Sequence, residues 1–539
     1  MKRFLLDLLV LAISGLALCL AHPTSLPIIS AHYGYILNTG AQEALAWFGL
    51  VPFLFLALRR GLTGWKLYGY SLILMMFYFG TSIFWVNNAM VVYGGVWTPI
   101  SILVGLALAA IIGSQLALGL HSGLVFERRF KLPLWLTLPV CWTALEFARN
   151  YFLTGFPWSN LAYSQYLNLY FSQSAAIWGI YGINFVLILS NVVIFELICY
   201  FRKEVAFPRR ALAVFLVLLT FSYSYGIYRI SANEQLEQDS PKLSTAMVQG
   251  NIDQDIKNFS YKHMYNIMRI YNNMTRAIPQ EVDLVIWPEA TPPYNLDRSM
   301  KNLDKILAPL GEHMPDYLLT GASTYSYSES GRVFYNSAYI VDKKYNVTEI
   351  FDKSHLVPFG EYVPMKFLFQ DILHIHSIVP TLGRFKGGVL GDGMHFDGHN
   401  LGVLICYEGL FPEISRHYAR EEVEFLVNLT NDAWFGPSAM PYQHLAQYVF
   451  RCIETRKALL RSTNTGISAI YNTSGRIVKQ TGIFKREVLF GIIPLVKDRT
   501  VYSYIGDAPA FICLLLWGYG AHRIRRERKN NKNTGAKKA

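Results

Sequence analysis

Three side chains with complementary chemistry stand out: Glu289 in Val-Ile-Trp-Pro-Glu-Ala, Lys353 in Phe-Asp-Lys-Ser-His, and Cys406 ending the apolar run Gly402-Val-Leu-Ile-Cys406-Tyr-Glu408. A thiol of ordinary acidity is only a small fraction thiolate near neutrality, so a nucleophilic cysteine needs a base or a cation beside it. Glu289 can take the thiol proton and later deprotonate an incoming nucleophile. Lys353 can place positive charge where a tetrahedral oxyanion develops, with the backbone N–H after Cys406 as a second donor. Taken singly, each has a plainer reading as a helix-start carboxylate, a surface charge or a buried small hydrophobe. The flanking motifs favour the chemical reading.

Such a set must be delivered by loops at the ends of rigid elements. Residues 231–500 alternate short β-rich apolar runs with helical or polar stretches. The runs are Leu243–Val248, Leu284–Trp287, Tyr317–Thr320, Ser337–Val341, Gly402–Cys406, Phe425–Asn428 and Ile467–Tyr471, and helical periodicity marks Tyr261–Ala277 and Gln443–Leu460. The pattern predicts a layered α/β domain with one sizeable core, in which the Trp-Pro pair stops a strand just before Glu289. No sustained repeat occurs, and low complexity is confined to the basic tail 523–539, expected to be disordered.

The rest of the chain is unlike a soluble protein. Of 539 residues, 52% are apolar and only 16% charged, and the mean hydropathy is positive, a composition that belongs in a bilayer. Apolar runs of spanning length fall near 4–22, 41–58, 66–92, 97–126, 133–150, 168–200, 210–229 and 501–522. Eight transmembrane helices are expected, the second the shortest. Basic residues cluster in every second loop: Lys2 and Arg3; Arg59, Arg60 and Lys66; Arg128, Arg129 and Lys131; Arg202, Lys203, Arg209 and Arg210; and the tail. The positive-inside rule then puts both termini in the cytoplasm and segment 231–500, after seven spans, on the opposite side. The predicted organisation is a membrane domain over 1–230, a catalytic domain over 231–500, an eighth helix over 501–522 and a cytoplasmic tail over 523–539.

The net charge of +12 mostly reports this orientation, because residues 231–500 hold 27 basic against 29 acidic residues. No nucleic-acid footprint follows from the basic balance. The start Met-Lys-Arg with its apolar stretch also fits a signal peptide, and Leu16-Ala-Leu-Cys19 hints at a lipoprotein box, but Leu18 suits it poorly and an uncleaved first helix is expected. Only Cys406 and Cys452 of six cysteines lie in the outer domain, and they are expected to stay unpaired. There is no Cys-x-x-Cys or Cys/His metal spacing, and neither metal nor cofactor is expected.

The Glu, Lys and Cys motifs resemble the catalytic set of the nitrilase superfamily. Almost the whole chain resembles the apolipoprotein N-acyltransferases of the bacterial inner membrane, through Leu153-Thr-Gly-Phe-Pro-Trp158, Val248-Gln-Gly-Asn-Ile252, Val285-Ile-Trp-Pro-Glu289, Leu356-Val-Pro-Phe-Gly-Glu-Tyr-Val-Pro364, Ile405-Cys-Tyr-Glu408, Asn428-Leu-Thr-Asn-Asp-Ala-Trp-Phe-Gly436 and Leu460-Arg-Ser-Thr-Asn-Thr-Gly466. That resemblance implies a polytopic α-helical membrane domain plus a periplasmic nitrilase-like αββα sandwich. It implies a ping-pong transfer in which Cys406 takes an acyl chain from a phospholipid, expected to be phosphatidylethanolamine, as a thioester. The acceptor is the α-amino group of the diacylglyceryl-cysteine that begins an apolipoprotein. Glu361 and Glu408 would orient Lys353 or the leaving groups, and Tyr407 would pack beside the thiol. Where relatives place Trp after Gln-Gly-Asn-Ile, this chain has Phe259 as the aromatic surface. His444 and Arg461 have family counterparts without a derived role.

An acyl chain of sixteen carbons costs on the order of 12 kcal/mol to bring into water, so the thiol must lie near the bilayer. Segment 362–380, rich in Phe and Leu, and segment 434–442 with Trp434 are predicted lids that admit lipid. Glu146 and Arg149 are intramembrane charges at i, i+3, expected to support the joint between membrane and catalytic domains. Two alternatives compete: a membrane-tethered nitrilase-type amidase, in which water replaces the amine, and a non-catalytic lipid-binding scaffold. Eight spans exceed what tethering needs, and a scaffold has no use for all three reactive side chains.

Overall fold

The computed structural model describes residues 2–25, 36–37, 40–254, 256, 260–279, 281–292, 296–297, 303–329, 331–364, 367 and 385–536. Every predicted span contains helix, with instructive departures. Lys2–Leu20, Thr98–Phe130 and Arg209–Asp239 are long single helices, and Ala175–Phe201 is helical on both sides of a kink at Gly179. The second span is a 3-10 turn over Ala41–Trp47 followed by Val51–Arg59. The third, Gly64–Ser82, bends by 59° into Val86–Tyr93. Among the described residues five helices are long and apolar enough to cross a membrane, or six with the bent pair. Leu134–Arg149 falls short because its 16 residues reach only about 24 Å. The last predicted span breaks at Gly506 between Val501–Ile505 and Ala508–Ala536.

Neighbouring helices approach closely where side chains are smallest. A Cβ at Gly123 would lie 2.7 Å from Leu138 Cδ1, and one at Gly119 would lie 3.1 Å from the Cys141 carbonyl oxygen, the small-residue contact on which helix packing in lipid depends.

Two boundaries differ from expectation. Helix Arg209–Asp239 runs past 230, so the predicted domain border lies inside a helix whose end is docked by Glu237, which accepts hydrogen bonds from the Thr473 backbone and hydroxyl at 2.8 and 2.5 Å. The basic tail is helical to Ala536 instead of disordered, tied by Glu527 to Arg523 one turn away and to Arg129 at 2.8 Å.

The remaining chain folds into two facing sheets. In chain order the strands are β1 (Lys242–Gln249), β2 (Leu284–Ile286), β3 (Tyr317–Ser328), β4 (Gly331–Asp342), β5 (Val347–Asp352), β6 (Met394–Phe396), β7 (His399–Ile405), β8 (Phe425–Thr430), β9 (Ala458–Thr463), β10 (Ala469–Tyr471), β11 (Ile477–Gln480) and β12 (Glu487–Pro494). One sheet has the order β12-β1-β2-β3-β4-β5, with the two-residue strand Leu296–Asp297 also paired to β3, and the other has the order β11-β10-β9-β8-β7-β6. The centres, β1-β2-β3 and β7-β8-β9, are parallel, and the flanks antiparallel. Alternate side chains of both sheets, Met247, Ile286 and Leu319 from one and Val403, Val427 and Leu460 from the other, share one core. Helix Ser260–Arg276 covers the outer face of the first sheet through Ile267 and Tyr271. Helices Pro412–Arg420 and Met440–Thr455 cover the second. This is the expected αββα sandwich.

Every predicted β-run is a strand. The helical stretch foreseen over Gln443–Leu460 ends earlier, at Thr455, where Arg456 turns left-handed at φ 57 and β9 begins. Helix Met440–Thr455 is buried on nearly every side, because its outer face packs into the core shared with the membrane helices. Catalytic and membrane parts therefore share one hydrophobic cluster containing Leu404, Leu426, Tyr448, Trp158 and Tyr163.

Candidate active site

Parallel strands end on one side of each sheet, and the candidate residues sit there. Glu289 follows β2 in a turn laced to β3: Thr291 N–H donates to the Gly321 carbonyl at 2.9 Å. A Cβ at Gly321 would lie 2.9 Å from Glu289 Cα, so glycine permits this close approach. Lys353 follows β5, with its N–H donating to the Asn336 carbonyl at 2.8 Å. Cys406 caps β7 at φ 52, a left-handed conformation that costs a non-glycine residue about 1–2 kcal/mol.

Lys353 is almost fully buried at 1% exposure. Its Nζ lies 3.0 Å from Glu361 and 3.9 Å from Glu289. The Asn336 amide donates to both carboxylates, 2.8 Å to each. One cation and one amide thus hold two carboxylates apart in a desolvated site, satisfying the demand that buried charges be paired. Burial alone disfavours the ammonium, yet Glu361, Cys406 and Glu289 raise the Lys353 pKa above its ordinary value. Burial and the Glu289 charge push the Cys406 thiol well up, opposed by Lys353 and a hydrogen bond with Thr430. The resting thiol is protonated, so attack requires a base at that moment.

Glu361 stands against Lys353. Glu408 meets the backbone on both sides of the site. Its Oε1 accepts from Ser354 N and Oγ at 2.7 and 2.6 Å and from His355 N at 3.1 Å, and its Oε2 accepts from Ile405 N at 2.8 Å. It ties the lysine loop to the cysteine turn, and burial pushes its pKa up. Tyr407 reaches the membrane part, donating its hydroxyl to the Gly155 carbonyl at 3.0 Å.

The loop containing Gly155 is held by Arg149, which donates to the Phe156 and Trp158 carbonyls at 2.7 Å each and pairs with Glu146. Glu146 and Arg149, foreseen as intramembrane charges at a joint, thus hold the loop that Tyr407 meets. Trp158 in turn donates to Gln443 Oε1 at 2.6 Å, as Trp85 does at 3.0 Å, while the Gln443 amide donates to the Pro23 and Ser82 carbonyls.

Trp434 packs 5.5 Å from Tyr93 in the bent third span. Segment 434–442 ends inside helix Met440–Thr455, so it is only partly a loop. Phe259 and nearly all of the other predicted lid, 362–380, lie outside the described residues, apart from 362–364 and an exposed Phe367. Among the described residues no group of His, Cys, Asp or Glu side chains could hold a metal.

Sequence reading missed Asn336, Thr430, Gln443 and Tyr448. A lone Asn inside the buried β4 was the available signal for the first, since a buried amide must find partners.

His444 is buried, and burial together with Arg461 lowers its pKa from 6.5 to about 4. Between those values the unfolded chain binds the extra proton, so stability rises with pH and is lost as pH falls through the window. From pH 7 to pH 5 this residue alone removes about 2 kcal/mol. His444→Gln should therefore shrink the fall in melting temperature in detergent between pH 7 and pH 5, and an equal fall in both proteins would refute the linkage.

The carbon-nitrogen hydrolase family matches residues 244–500, and the apolipoprotein N-acyltransferase N-terminal domain matches residues 14–193. The apolipoprotein N-acyltransferase of Geobacter metallireducens is 32% identical over 94% of this chain and 93% of its own length. That of Haemophilus ducreyi is 30% identical over 84% of this chain and 87% of its own. The crystal structure of a carbon-nitrogen hydrolase from Helicobacter pylori G27 aligns with 52% of this chain and 94% of its own at 13% identity and a TM-score of 0.35. With both family domains present and end-to-end similarity at this level, the chain belongs to the apolipoprotein N-acyltransferases.

Proposed function

We propose that this membrane protein transfers a fatty acyl chain from a phospholipid, through a thioester on Cys406, to the α-amino group of a diacylglyceryl-cysteine at the start of an apolipoprotein. The observation that carries this reading is the bond from Tyr407, next to the thiol, to Gly155 of the membrane part. It supports a thiol at the bilayer face, where an ester can be attacked without drawing its acyl chain into water.

In the first half-reaction Glu289 takes the Cys406 proton as sulfur attacks the ester carbonyl. The oxyanion is met by Lys353 Nζ and the Tyr407 backbone N–H. Collapse breaks the ester C–O bond, and Glu289 returns the proton to the departing lysophospholipid oxygen. In the second, Glu289 takes a proton from the attacking amine, the C–N bond forms, the C–S bond breaks, and Cys406 leaves reprotonated. Glu361 and Asn336 hold Lys353 and Glu289 for both oxyanions, and Glu408 holds the cysteine turn. Trp434 lies on the side facing the membrane helices and suits contact with lipid.

The donor is phosphatidylethanolamine, the site is periplasmic in a bacterial inner membrane, and both termini are cytoplasmic. The supports are the alternation of basic loops and the helix found at every predicted span.

The test is purified protein incubated with phosphatidylethanolamine and read by intact mass. A mass gain of one acyl chain is expected, discharged by a diacylglyceryl-cysteine peptide faster than by water. No adduct would overturn the thioester route, and discharge by water as fast as by peptide would make the protein a hydrolase.

A further inference from the structure

Joined to the Cys406 backbone is a buried polar chain that the acyl transfer above does not use. Arg461 Nη2 sits 2.6 Å from Asp432 Oδ2, and Asp432 Oδ1 sits 3.2 Å from His444 Nδ1. His444 Nε2 is 3.2 Å from Tyr448 Oη, which donates at 3.0 Å to the Cys406 carbonyl. All four side chains are at most 1% exposed. His444 and Tyr448 lie one turn apart on helix Met440–Thr455, so both face β7 together. Room has been made for the phenol: a Cβ at Gly409 would lie 2.2 Å from the Tyr448 hydroxyl and ring.

The Cys406 carbonyl and the Tyr407 N–H belong to one peptide unit, planar and trans. Tying the oxygen on one side therefore aims the N–H to the other. Donation to the carbonyl also polarises that unit and strengthens its N–H as a donor. Cys406 is left-handed, so this plane is not where an unconstrained chain would leave it.

We propose that Tyr448, oriented by the Nε2–H of His444, whose Nδ1 accepts from Arg461 Nη2 at 3.2 Å, is a positioning residue that sets the peptide plane after Cys406 and so aims the Tyr407 N–H at the oxyanion. The inference rests on the acyl-transfer reading above. Gln443, which precedes His444, accepts from the Trp85 and Trp158 indoles through Oε1, so the same helix registers the nucleophile turn against the membrane part.

The test separates oxyanion chemistry from thiol chemistry. Tyr448→Phe keeps the ring and removes the hydroxyl. Its rate of acyl-adduct formation should fall about 10- to 100-fold, less than or equal to the loss of a whole oxyanion donor, with the phospholipid KM within about twofold of wild type. Alkylation of Cys406 by iodoacetamide, a displacement at saturated carbon that needs no oxyanion, should keep its wild-type rate. His444→Gln, which can still offer an amide to the phenol, should lose less than His444→Ala. Wild-type acylation in Tyr448→Phe, or alkylation falling in step with acylation, overturns the assignment. Failure of the wild-type protein itself to form an adduct would instead count against the acyl-transfer reading.

Discussion

Cys406→Ala is expected to abolish the acyl adduct and reduce transfer to the uncatalysed background, while the protein still folds. The thiol is the nucleophile at the end of β7, and without it the two half-reactions have no shared intermediate. Background here means a loss of at least about 10⁴-fold, on the scale of losing a nucleophile. Stability should behave differently. Cys406 holds φ 52, a conformation that only glycine adopts without penalty. Cys406→Gly should therefore melt above Cys406→Ala, with the gap worth about 1 kcal/mol, although both are inactive. Strain released by the residue that destroys activity is the signature of a conformation kept for function. Melting temperatures in the same detergent, beside intact-mass spectra, read both effects. An adduct of normal mass on Cys406→Ala would locate the acyl group elsewhere and remove Cys406 from the mechanism.

Most buried strands were legible because packed sheets demand continuous apolar runs, and each of the seven runs is a strand. Strands β5, β6, β11 and β12 were not, since they are flanking strands, short or with half-exposed, alternating or polar residues such as Val347–Asp352 and Ile477–Gln480. Central strand β9 was missed for another reason: Ala458–Leu460 continues the helical periodicity of the segment before it, and only the turn at Arg456 separates the two. Membrane helices were legible by hydropathy, but their breaks were not. Gly179 interrupts Ala175–Phe201 at φ 65, and the Ile180 N–H is met by Glu454 of the catalytic part at 3.2 Å, a partner distant in sequence.

The same distinction divides the site. Glu289, Lys353 and Cys406 carry chemistry in their residue types and motifs, so they could be singled out, and the fold brings them to one place. Asn336 and Tyr448 are ordinary residues whose roles come from what the tertiary structure sets opposite them: two carboxylates for one, a carbonyl for the other. Helix Met440–Thr455 is the extreme case. Polar residues such as Gln443, His444 and Gln447 suggest a solvated face, yet all are buried because two parts of the protein close over them.

Lys353→Met should lower transfer by at least about 10³-fold and destabilise the protein by about 3–5 kcal/mol, from two separable causes. The activity loss follows from removing the cation placed to meet the oxyanion in both half-reactions, where one donor is worth about 10²–10³ and the lysine also neutralises Glu289 across 3.9 Å. The stability loss follows from leaving Glu289 and Glu361 together in a desolvated site with one amide between them, since breaking a buried pair from one side strands a charge. Glu361→Gln added to Lys353→Met removes the stranded charge and keeps an amide of similar shape. The double variant should regain most of the lost melting temperature and none of the lost transfer. If it regained activity as well, Glu361 and not the missing ammonium would have limited the reaction. If Lys353→Met alone transferred within tenfold of wild type, the oxyanion would be stabilised without Lys353, and the backbone turn at Cys406 would have to supply the whole effect.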